Sequence, residues 1–293
     1  MSVVILSRGK CGLSKGITRY MVAMAIADLM VCIFNITVVW LHFPDSFLSY
    51  TYACRLSEFI QVVSSQLSVW FTVSFTIDRF IAICCHKLKP TYCTERTATV
   101  VLTAQWVLSV LMHIPKYFRY EPNYIVDDIL WGCRTVMGYI SSPEWIAYKW
   151  ISSISSPILP YPVMLLLNCL TVRHILLASR FCRALKSRSN GESSSDPEMK
   201  NRRTSIILLF AISGSFIVLM APITIIHLSV GVTEIISFTG SNSLYLAIRI
   251  TLLLMYSSSC INTCIYALTQ RRFRKEMQNM VKCPFIVILT LCR

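Results

Sequence analysis

Six apolar segments, each long enough to cross a membrane, constrain this chain more than any other feature. A helix needs roughly 20 residues to cross a hydrocarbon core of about 30 Å. Within lipid such a segment must be helical, because its backbone polar groups have no water to bind. The sequence therefore predicts an all-α, polytopic membrane helix bundle with six complete spans. The segments are Thr18–Leu41, Glu58–Cys85, Thr97–Ile114, Trp150–Leu177, Thr204–Val230 and Leu244–Leu268.

Composition excludes an ordinary soluble domain. Hydrophobic residues make up 55% of the chain and charged residues 14%, against about 25% charged residues in soluble domains. The net charge of +14 would suggest nucleic-acid binding in a soluble protein. Here the basic residues lie between the apolar segments, and no basic stripe alternates with aromatics. We therefore expect no nucleic-acid partner, and basic loops that contact anionic membrane lipid.

The charges of the connecting segments predict the orientation in the membrane. Lys and Arg concentrate before Thr18, at His86–Arg96, at Arg180–Arg203 and after Leu268, whereas residues 42–53 and 231–243 contain none. The Lys116–Lys149 loop is mixed. Because basic segments stay on the cytosolic side, both termini are expected in the cytosol.

Polar residues inside the apolar segments are candidates for function, because burying them in lipid is costly. The second segment carries five of them at helical spacing, so they share one helix face. Such a face either borders a cavity or packs against other helices through small polar contacts. The five residues are Gln61, Ser64, Ser65, Ser68 and Thr72.

Asp28 is an acidic residue in the middle of the first apolar segment. A carboxylate at that depth must be neutral or paired. It can converge with Ser68, Ser259 and Asn262 on a small cation such as sodium, or it can be a protonated hydrogen-bonding hub. No other cofactor is predicted.

Three features are expected at the cytosolic side and along the later segments. Asp78 and Arg79 can pair with each other, or separate so that Arg79 engages another protein. Pro160 and Pro162 are expected to bend the fourth segment, and Pro222 the fifth. The tail, residues 269–293, is predicted to be an amphipathic helix and a short cytosolic segment, in which Cys283 is either palmitoylated or unmodified.

A series of short motifs occurs in order along the chain. They resemble the motifs of rhodopsin-like (class A) G-protein-coupled receptors, from the second helix of that family to the short helix after its seventh. The resemblance implies a seven-transmembrane receptor domain over residues 1–268 and a disulfide between Cys54 and Cys133. The motifs are Met24–Leu29 (MAIADL), Asp78–Phe80 (DRF), Trp106, Pro160, Pro222 and Asn262–Tyr266 (NTCIY).

Within the family, two segments are most similar to the orphan branch that contains probable G-protein coupled receptor 139. These segments are the surroundings of Asp78 and the stretch Ile261–Tyr266. The resemblance therefore implies an orphan or peptide receptor.

The chain departs from the family pattern at five places. Ser2–Leu6 resembles only the last turn of the first helix. Gln61 stands where amine receptors carry an aspartate, so a protonated amine lacks its counter-ion. Met220 replaces the tryptophan before the sixth-helix proline. Arg202 replaces the acidic partner of the third-helix arginine, and Thr263 replaces the seventh-helix proline.

The resemblance implies a plasma-membrane receptor that transduces an extracellular ligand to a heterotrimeric G protein. Gln61 and Arg249 favour an amino acid or a short peptide over a monoamine. The expected activation residues are Asp78, Arg79, Phe80, Pro222, Asn262 and Tyr266. The expected ligand-binding residues are Gln61, Val62, Ser65, Ser152, Ser156, Ile223, His227, Arg249 and Tyr256.

Three other hypotheses follow from the sequence. The incomplete first helix suggests a truncated or non-signalling receptor fragment or isoform, which could form a dimer with a complete receptor. A small transporter would show internal repeats and glycine-rich broken helices, and neither is present. An enzyme would need a nucleophile–base pair or a metal-ligand set, so we expect no enzymatic activity.

Overall fold

The computed structural model describes residues 2–8, 14–40, 50–139, 141–186, 197–229 and 242–280. The chain is mainly helical over these residues. A further helical segment covers residues 271–280. The named helices are α1 Ser2–Ser7, α2 Lys15–Trp40, α3 Thr51–Cys84, α4 Lys89–Tyr92, α5 Glu95–Tyr117, α6 Pro143–Ser153, α7 Pro160–Lys186, α8 Pro197–Ser229 and α9 Asn242–Thr269.

Within the described ranges, six stretches of helix are long and apolar enough to cross a membrane, as predicted. Leucines such as Leu108 on α5 and Leu166 on α7 are at least 60% exposed, as expected for helix faces that contact lipid. The six stretches are Lys15–Asn35, Thr51–Cys84, Glu95–Tyr117, Pro143–Ala178, Ile206–Ile226 and Leu246–Thr269.

The predicted loop from Lys116 to Lys149 was too long at both ends. Helix α5 extends to Tyr117, and α6 begins at Pro143 rather than at Trp150. Proline is well placed in a first helical turn, where its missing N–H has no intrahelical acceptor. Two lysines assigned to the loop therefore lie on helices, and Lys149 is buried.

Helix α3 lies at the centre of the bundle and contacts α2, α5, α7 and α8. Its polar face points inward, since Ser64, Ser68 and Thr72 are buried. This confirms that the polar face packs within the bundle. Any site that the polar residues form must therefore lie between helices.

Helices α6 and α7 are joined by a π-helical turn, Ile154–Ile158. The amide of Leu159 donates to the carbonyl of Ile154 at 2.8 Å, which is the wider hydrogen-bond spacing of a π-helix. Pro160 follows directly and has no N–H to continue the α-helical ladder. The predicted distortion at Pro160 is thus a widening of the helix on its N-terminal side.

The extracellular segment between α5 and α6 contains four short strands that the all-α prediction did not include. Strands β1 (Tyr120–Glu121) and β4 (Arg134–Thr135) pair, as do β2 (Tyr124–Val126) and β3 (Ile129–Trp131). Asp127 and Asp128 join β2 to β3 with φ angles of 50° and 62°. A two-residue hairpin turn needs positive φ at both positions, and aspartate tolerates it.

A disulfide between Cys54 and Cys133 attaches this hairpin segment to the start of α3. The adjacent carbonyl of Gly132 accepts a hydrogen bond from Thr51 Oγ1 at 2.8 Å. Gly132 has a φ of 77°, and a Cβ there would lie 2.8 Å from Asn123. Glycine is therefore required beside the disulfide.

The first and last described segments, residues 2–8 and 271–280, both pack on the cytosolic half of the bundle. Ile5 and Leu6 of α1 are fully buried, and Ser2 Oγ donates to Thr263 Oγ1 on α9 at 3.1 Å. In residues 271–280, Phe273 is fully buried and Met277 packs against the core. The predicted amphipathic face is thus present, whereas Cys283 lies outside the described residues.

Replacing Gly132 by alanine is expected to destabilise the protein. The left-handed backbone alone costs about 1–2 kcal/mol for a residue with a Cβ, and the contact with Asn123 adds to that cost. Thermal unfolding of the purified protein in detergent micelles should show a lower Tm. Gly214→Ala in α8 is the matched control, because a Cβ there meets nothing within 4 Å. Equal Tm values for the two variants would contradict the requirement for glycine at position 132.

Candidate functional site

A cavity of about 270 Å³ lies among α3, α6, α8 and α9 toward the extracellular side. Seven of the nine expected ligand-binding residues line it: Gln61, Val62, Ser65, Ser152, Ser156, Ile223 and Tyr256. The side chain of His227 lies outside the described residues, and Arg249 is exposed and does not line the cavity. That these residues bind a ligand stays a prediction.

The cavity also contains residues that the sequence did not single out. Gln66 forms part of its inner wall, and His113, Lys116 and Lys149 come from the ends of α5 and α6. Met220, expected only as a departure from the family pattern, lines the wall too. The positions of both lysines at the edges of apolar segments were visible in the sequence. Their burial was not, because it depends on how the two helix ends pack together.

Gln61 connects three helices at one end of the cavity. Its Nε2 donates to Asn35 Oδ1 on α2 at 2.5 Å and to Tyr256 Oη on α9 at 3.2 Å. The amide group of Gln61 is thus engaged in holding the helices together. A ligand that contacts Gln61 would bear directly on the packing of α2 and α9.

Two side chains of α3 bind the π-helical turn at the cavity wall. Trp70 Nε1 donates to the carbonyl of Ser155 at 3.1 Å, and Gln66 Nε2 donates to Ser155 Oγ at 2.6 Å. In the π pattern the carbonyl of Ser155 would accept from residue 160, but Pro160 has no N–H. Trp70 therefore satisfies a carbonyl that the proline leaves without a backbone donor.

A cluster of aromatic rings and cations covers the extracellular end of the cavity. Tyr139 lies at its centre, with Lys149 Nζ 4.2 Å and the Arg119 guanidinium carbon 4.7 Å from the ring centroid. Lys116 Nζ donates to Tyr139 Oη at 3.4 Å. The Glu58 carboxylate oxygen Oε2 lies 3.9 Å from Arg119 Nη1. We call Lys116, Arg119, Tyr139 and Lys149 the tyrosine–cation cluster.

The phenols beside these cations are neutral at physiological pH. Burial, and secondarily the Glu58 carboxylate, raises the pKa of Tyr120 above its ordinary value. Burial likewise raises the pKa of Tyr139, although the Arg119 guanidinium opposes that change. The rings thus offer the cations their electron-rich faces but no negative charge.

Deeper in the bundle, Asp28 forms the predicted polar hub. Its Oδ1 accepts from Ser68 Oγ at 2.5 Å, and its Oδ2 accepts from Asn262 Nδ2 at 2.9 Å. Ser259 is a further hydrogen-bond partner of the carboxylate. The four residues therefore converge, and their carboxylate and hydroxyl oxygens are of the ligand type that hard cations prefer.

At the cytosolic end of α3, the side chains of Asp78 and Arg79 form a buried ion pair. Arg79 donates to Asp78 Oδ2 through Nε at 3.0 Å and through a second nitrogen. Arg79 is therefore engaged within its own helix. Phe80, the third residue of the motif, is half-buried beside them.

The remaining expected activation residues lie on α8 and α9. Pro222 is inside α8, at a point where the helix lacks one backbone hydrogen bond. Tyr266 is fully buried on α9, and its ring meets that of Phe273 edge to face at 6.0 Å. The Tyr266 hydroxyl has no hydrogen-bond partner among the described residues.

The three groups of expected residues therefore occupy successive depths along α3. The cavity residues lie toward Cys54, the Asp28 hub lies in the middle, and the Asp78–Arg79 pair lies at the cytosolic end. Each group includes residues of α3, and the first two also include residues of α9. The arrangement is that of a helix bundle in which one central helix connects two opposite faces.

Comparison with known proteins identifies the family. Residues 1–266 match the family described as 7 transmembrane receptor (rhodopsin family). The chain therefore belongs to the rhodopsin family of seven-transmembrane receptors. It is a receptor of the plasma membrane that crosses the membrane several times, and it is not an enzyme.

Individual relatives are identical to the chain at about a quarter of the aligned positions. It is 25% identical over 275 residues to the QRFP-like peptide receptor of Branchiostoma floridae, covering 90% of this chain and 68% of that protein. It is 26% identical over 272 residues to melatonin receptor type 1A of Gallus gallus, covering 89% and 70%. Neuromedin-U receptor 2 of Homo sapiens is 24% identical over 272 residues, covering 89% and 63%.

Replacing Trp70 by phenylalanine is expected to destabilise the protein by about 1–3 kcal/mol, because the buried carbonyl of Ser155 loses its donor. Trp106→Phe is the matched control, since Trp106 is 55% exposed on the outer face of α5. The measurement is the shift in Tm of each purified variant in the same detergent. A shift for Trp106→Phe as large as that for Trp70→Phe would contradict the special role of the Trp70 indole.

Proposed function

We propose that the cavity beside Gln61 binds an extracellular ligand, either an amino acid or a short peptide, and that binding activates a heterotrimeric G protein. The observation that carries the proposal is the cavity itself, which brings together side chains of α3, α6, α8 and α9. Among the relatives, one is described as a peptide receptor, which supports a peptide ligand. A monoamine is disfavoured, because Gln61 carries no charge.

The proposed mechanism is a shift between two conformations that both exist without ligand. In the resting conformation Gln61 joins α2 to α9, and Arg79 is paired with Asp78. A ligand that contacts Gln61 or Tyr256 changes the packing of α9 against α3. Helix α8 then bends at Pro222 and opens a cytosolic cleft between the helices.

Arg79 is the residue that would receive the G protein in this cleft. Its guanidinium leaves Asp78 and becomes available to the α-subunit, while Asn262 and Tyr266 repack behind it. The Tyr266 hydroxyl, which has no partner among the described residues, can form a hydrogen bond in the second conformation. The release of Arg79 and the repacking of Asn262 and Tyr266 each exchange one set of buried polar contacts for another. The two conformations can therefore be close in free energy.

We further propose that Asp28, Ser68, Ser259 and Asn262 hold a sodium ion in the resting conformation. Sodium would supply positive charge to a buried carboxylate that otherwise needs a proton. The alternative is the protonated hub, in which the hydrogen bonds to Ser68 and Asn262 suffice. The two states respond differently to sodium, so they can be separated by experiment.

Asp78→Asn is expected to raise signalling in the absence of ligand, because it removes the carboxylate that holds Arg79. The measurement is G-protein activation in cells that express equal surface amounts of each variant. Arg79→Ala should abolish the signal, alone or combined with Asp78→Asn. Asp128→Asn, in the exposed turn between β2 and β3, is the matched control and should leave it unchanged. The absence of any Arg79-dependent signal would favour the non-signalling receptor instead.

Asp28→Asn is expected to remove the effect of sodium on stability. The wild-type protein, purified in detergent, should unfold at a higher temperature in sodium chloride than in choline chloride at equal ionic strength, because an ion that binds only the folded state stabilises it. Asp127→Asn, outside the bundle, should retain the difference. A wild-type Tm that is equal in the two salts would support the protonated hub and contradict the sodium site.

A further inference from the structure

Two ammonium groups line the extracellular end of the cavity. Lys116 lies at the end of α5 and Lys149 near the end of α6, and both border the same space as Gln61 and Tyr256. Within the described part of the chain, neither lysine forms an ion pair. The cavity wall is therefore positively charged at this end.

Lys149 is the more deeply placed of the two. Its side chain is 3% exposed, and its Nζ donates no hydrogen bond to any described residue. It lies over the Tyr139 ring at 4.2 Å, and this contact offsets only part of the cost of removing an ammonium group from water. A lysine near a helix end commonly places its ammonium group in water. Lys149 does not, because its Nζ is buried.

The surrounding residues do not neutralise the two lysines. Arg119 approaches the same ring at 4.7 Å and adds a third positive charge. Among the described carboxylates, Glu58 is the one shown paired with this cluster, and its partner is Arg119. The tyrosine–cation cluster thus has more positive than negative charge.

Two further polar atoms on the same wall have no hydrogen-bond partner in the described structure. They are His113 Nε2 and Gln66 Oε1. Buried polar atoms are nearly always hydrogen-bonded in folded proteins. Together with Lys149 Nζ, three such atoms lie around one cavity, where a ligand can supply their hydrogen-bond partners.

We propose that Lys116 and Lys149 form an anion subsite and that the ligand of this receptor carries a carboxylate. This rests on the proposed receptor function, because it assigns the chemistry of the ligand in the same cavity. A carboxylate offers two oxygens, which can accept charge-assisted hydrogen bonds from both ammonium groups. The adjoining wall, with Met220, Ile223 and Leu252, suits an apolar group next to that carboxylate.

The test compares two probes of nearly the same shape, the charged 3-phenylpropanoate and the neutral 3-phenylpropanamide. Each is titrated against the purified full chain in lipid nanodiscs, and binding is measured by saturation-transfer NMR. The acid should bind about tenfold more tightly than the amide, a modest value for a charge-assisted interaction. The amide keeps a carbonyl acceptor but carries no charge, so the ratio of the two affinities isolates the contribution of the charge.

Substitutions then test whether the lysines cause the difference in affinity between the acid and the amide. Lys149→Gln should reduce the preference for the acid to near unity, mainly through weaker binding of the acid, and Lys149→Arg should retain most of the preference. Lys87→Gln, the same change in an exposed cytosolic loop, should leave both affinities unchanged. If Lys149→Gln does not fold, Lys116→Gln decides the same comparison.

Equal binding of acid and amide to the wild-type chain would overturn the subsite, as would failure of both probes to bind. An equal loss of both probes in the folded Lys149→Gln variant would assign a packing role to the lysine and overturn the proposal too. None of these measurements involves a G protein. A preference for the acid without Arg79-dependent signalling would therefore leave the subsite intact and reject the signalling function alone.

Discussion

The buried carboxylate of Asp28 is the interaction on which the packing of the bundle depends. It accepts hydrogen bonds from Ser68 on α3 and Asn262 on α9, and so joins three helices in a medium that offers no other polar partner. An unsatisfied carboxylate there would cost several kcal/mol. The inward orientation of the polar face of α3 and the position of α9 both follow from satisfying it.

The need to give every buried polar group a hydrogen-bond partner also accounts for the distorted wall of the cavity. Pro160 removes a backbone donor, the helix widens into a π-turn, and a carbonyl is left for the Trp70 indole. The widening also places Ser155 against Gln66 and shapes the space between α3 and α7. The distortion is thus compensated by contacts from the neighbouring helix, and the cavity lies beside it.

In the tyrosine–cation cluster, compensation among the described residues is incomplete. Its cations are packed against rings rather than against carboxylates, apart from the pairing of Arg119 with Glu58. Stability alone would favour uncharged residues at these positions. The cations of this cluster lie on the wall of a cavity although removing them from water costs free energy. A site for an oppositely charged ligand requires such cations.

Much of the fold and part of the site could be predicted from the sequence. The six spans followed from apolar length, and the seven cavity residues from a motif pattern and helical spacing. The strands β1–β4 could not be predicted, because they are short and lie in a loop whose shape depends on its disulfide to α3. Arg249 was expected in the pocket but is exposed, since its position on the circumference of α9 follows from how that helix packs.

By itself the sequence determined that the chain is a membrane helix bundle and which family it resembles, and it predicted which side faces the cytosol. These properties depend on local composition and on order along the chain, because lipid forces apolar segments into helices. Only the tertiary structure decided which polar side chains share a cavity and which find partners. Lys116 and Lys149 are far apart in the chain, and their meeting at Tyr139 is set by the packing of two helix ends against a folded loop.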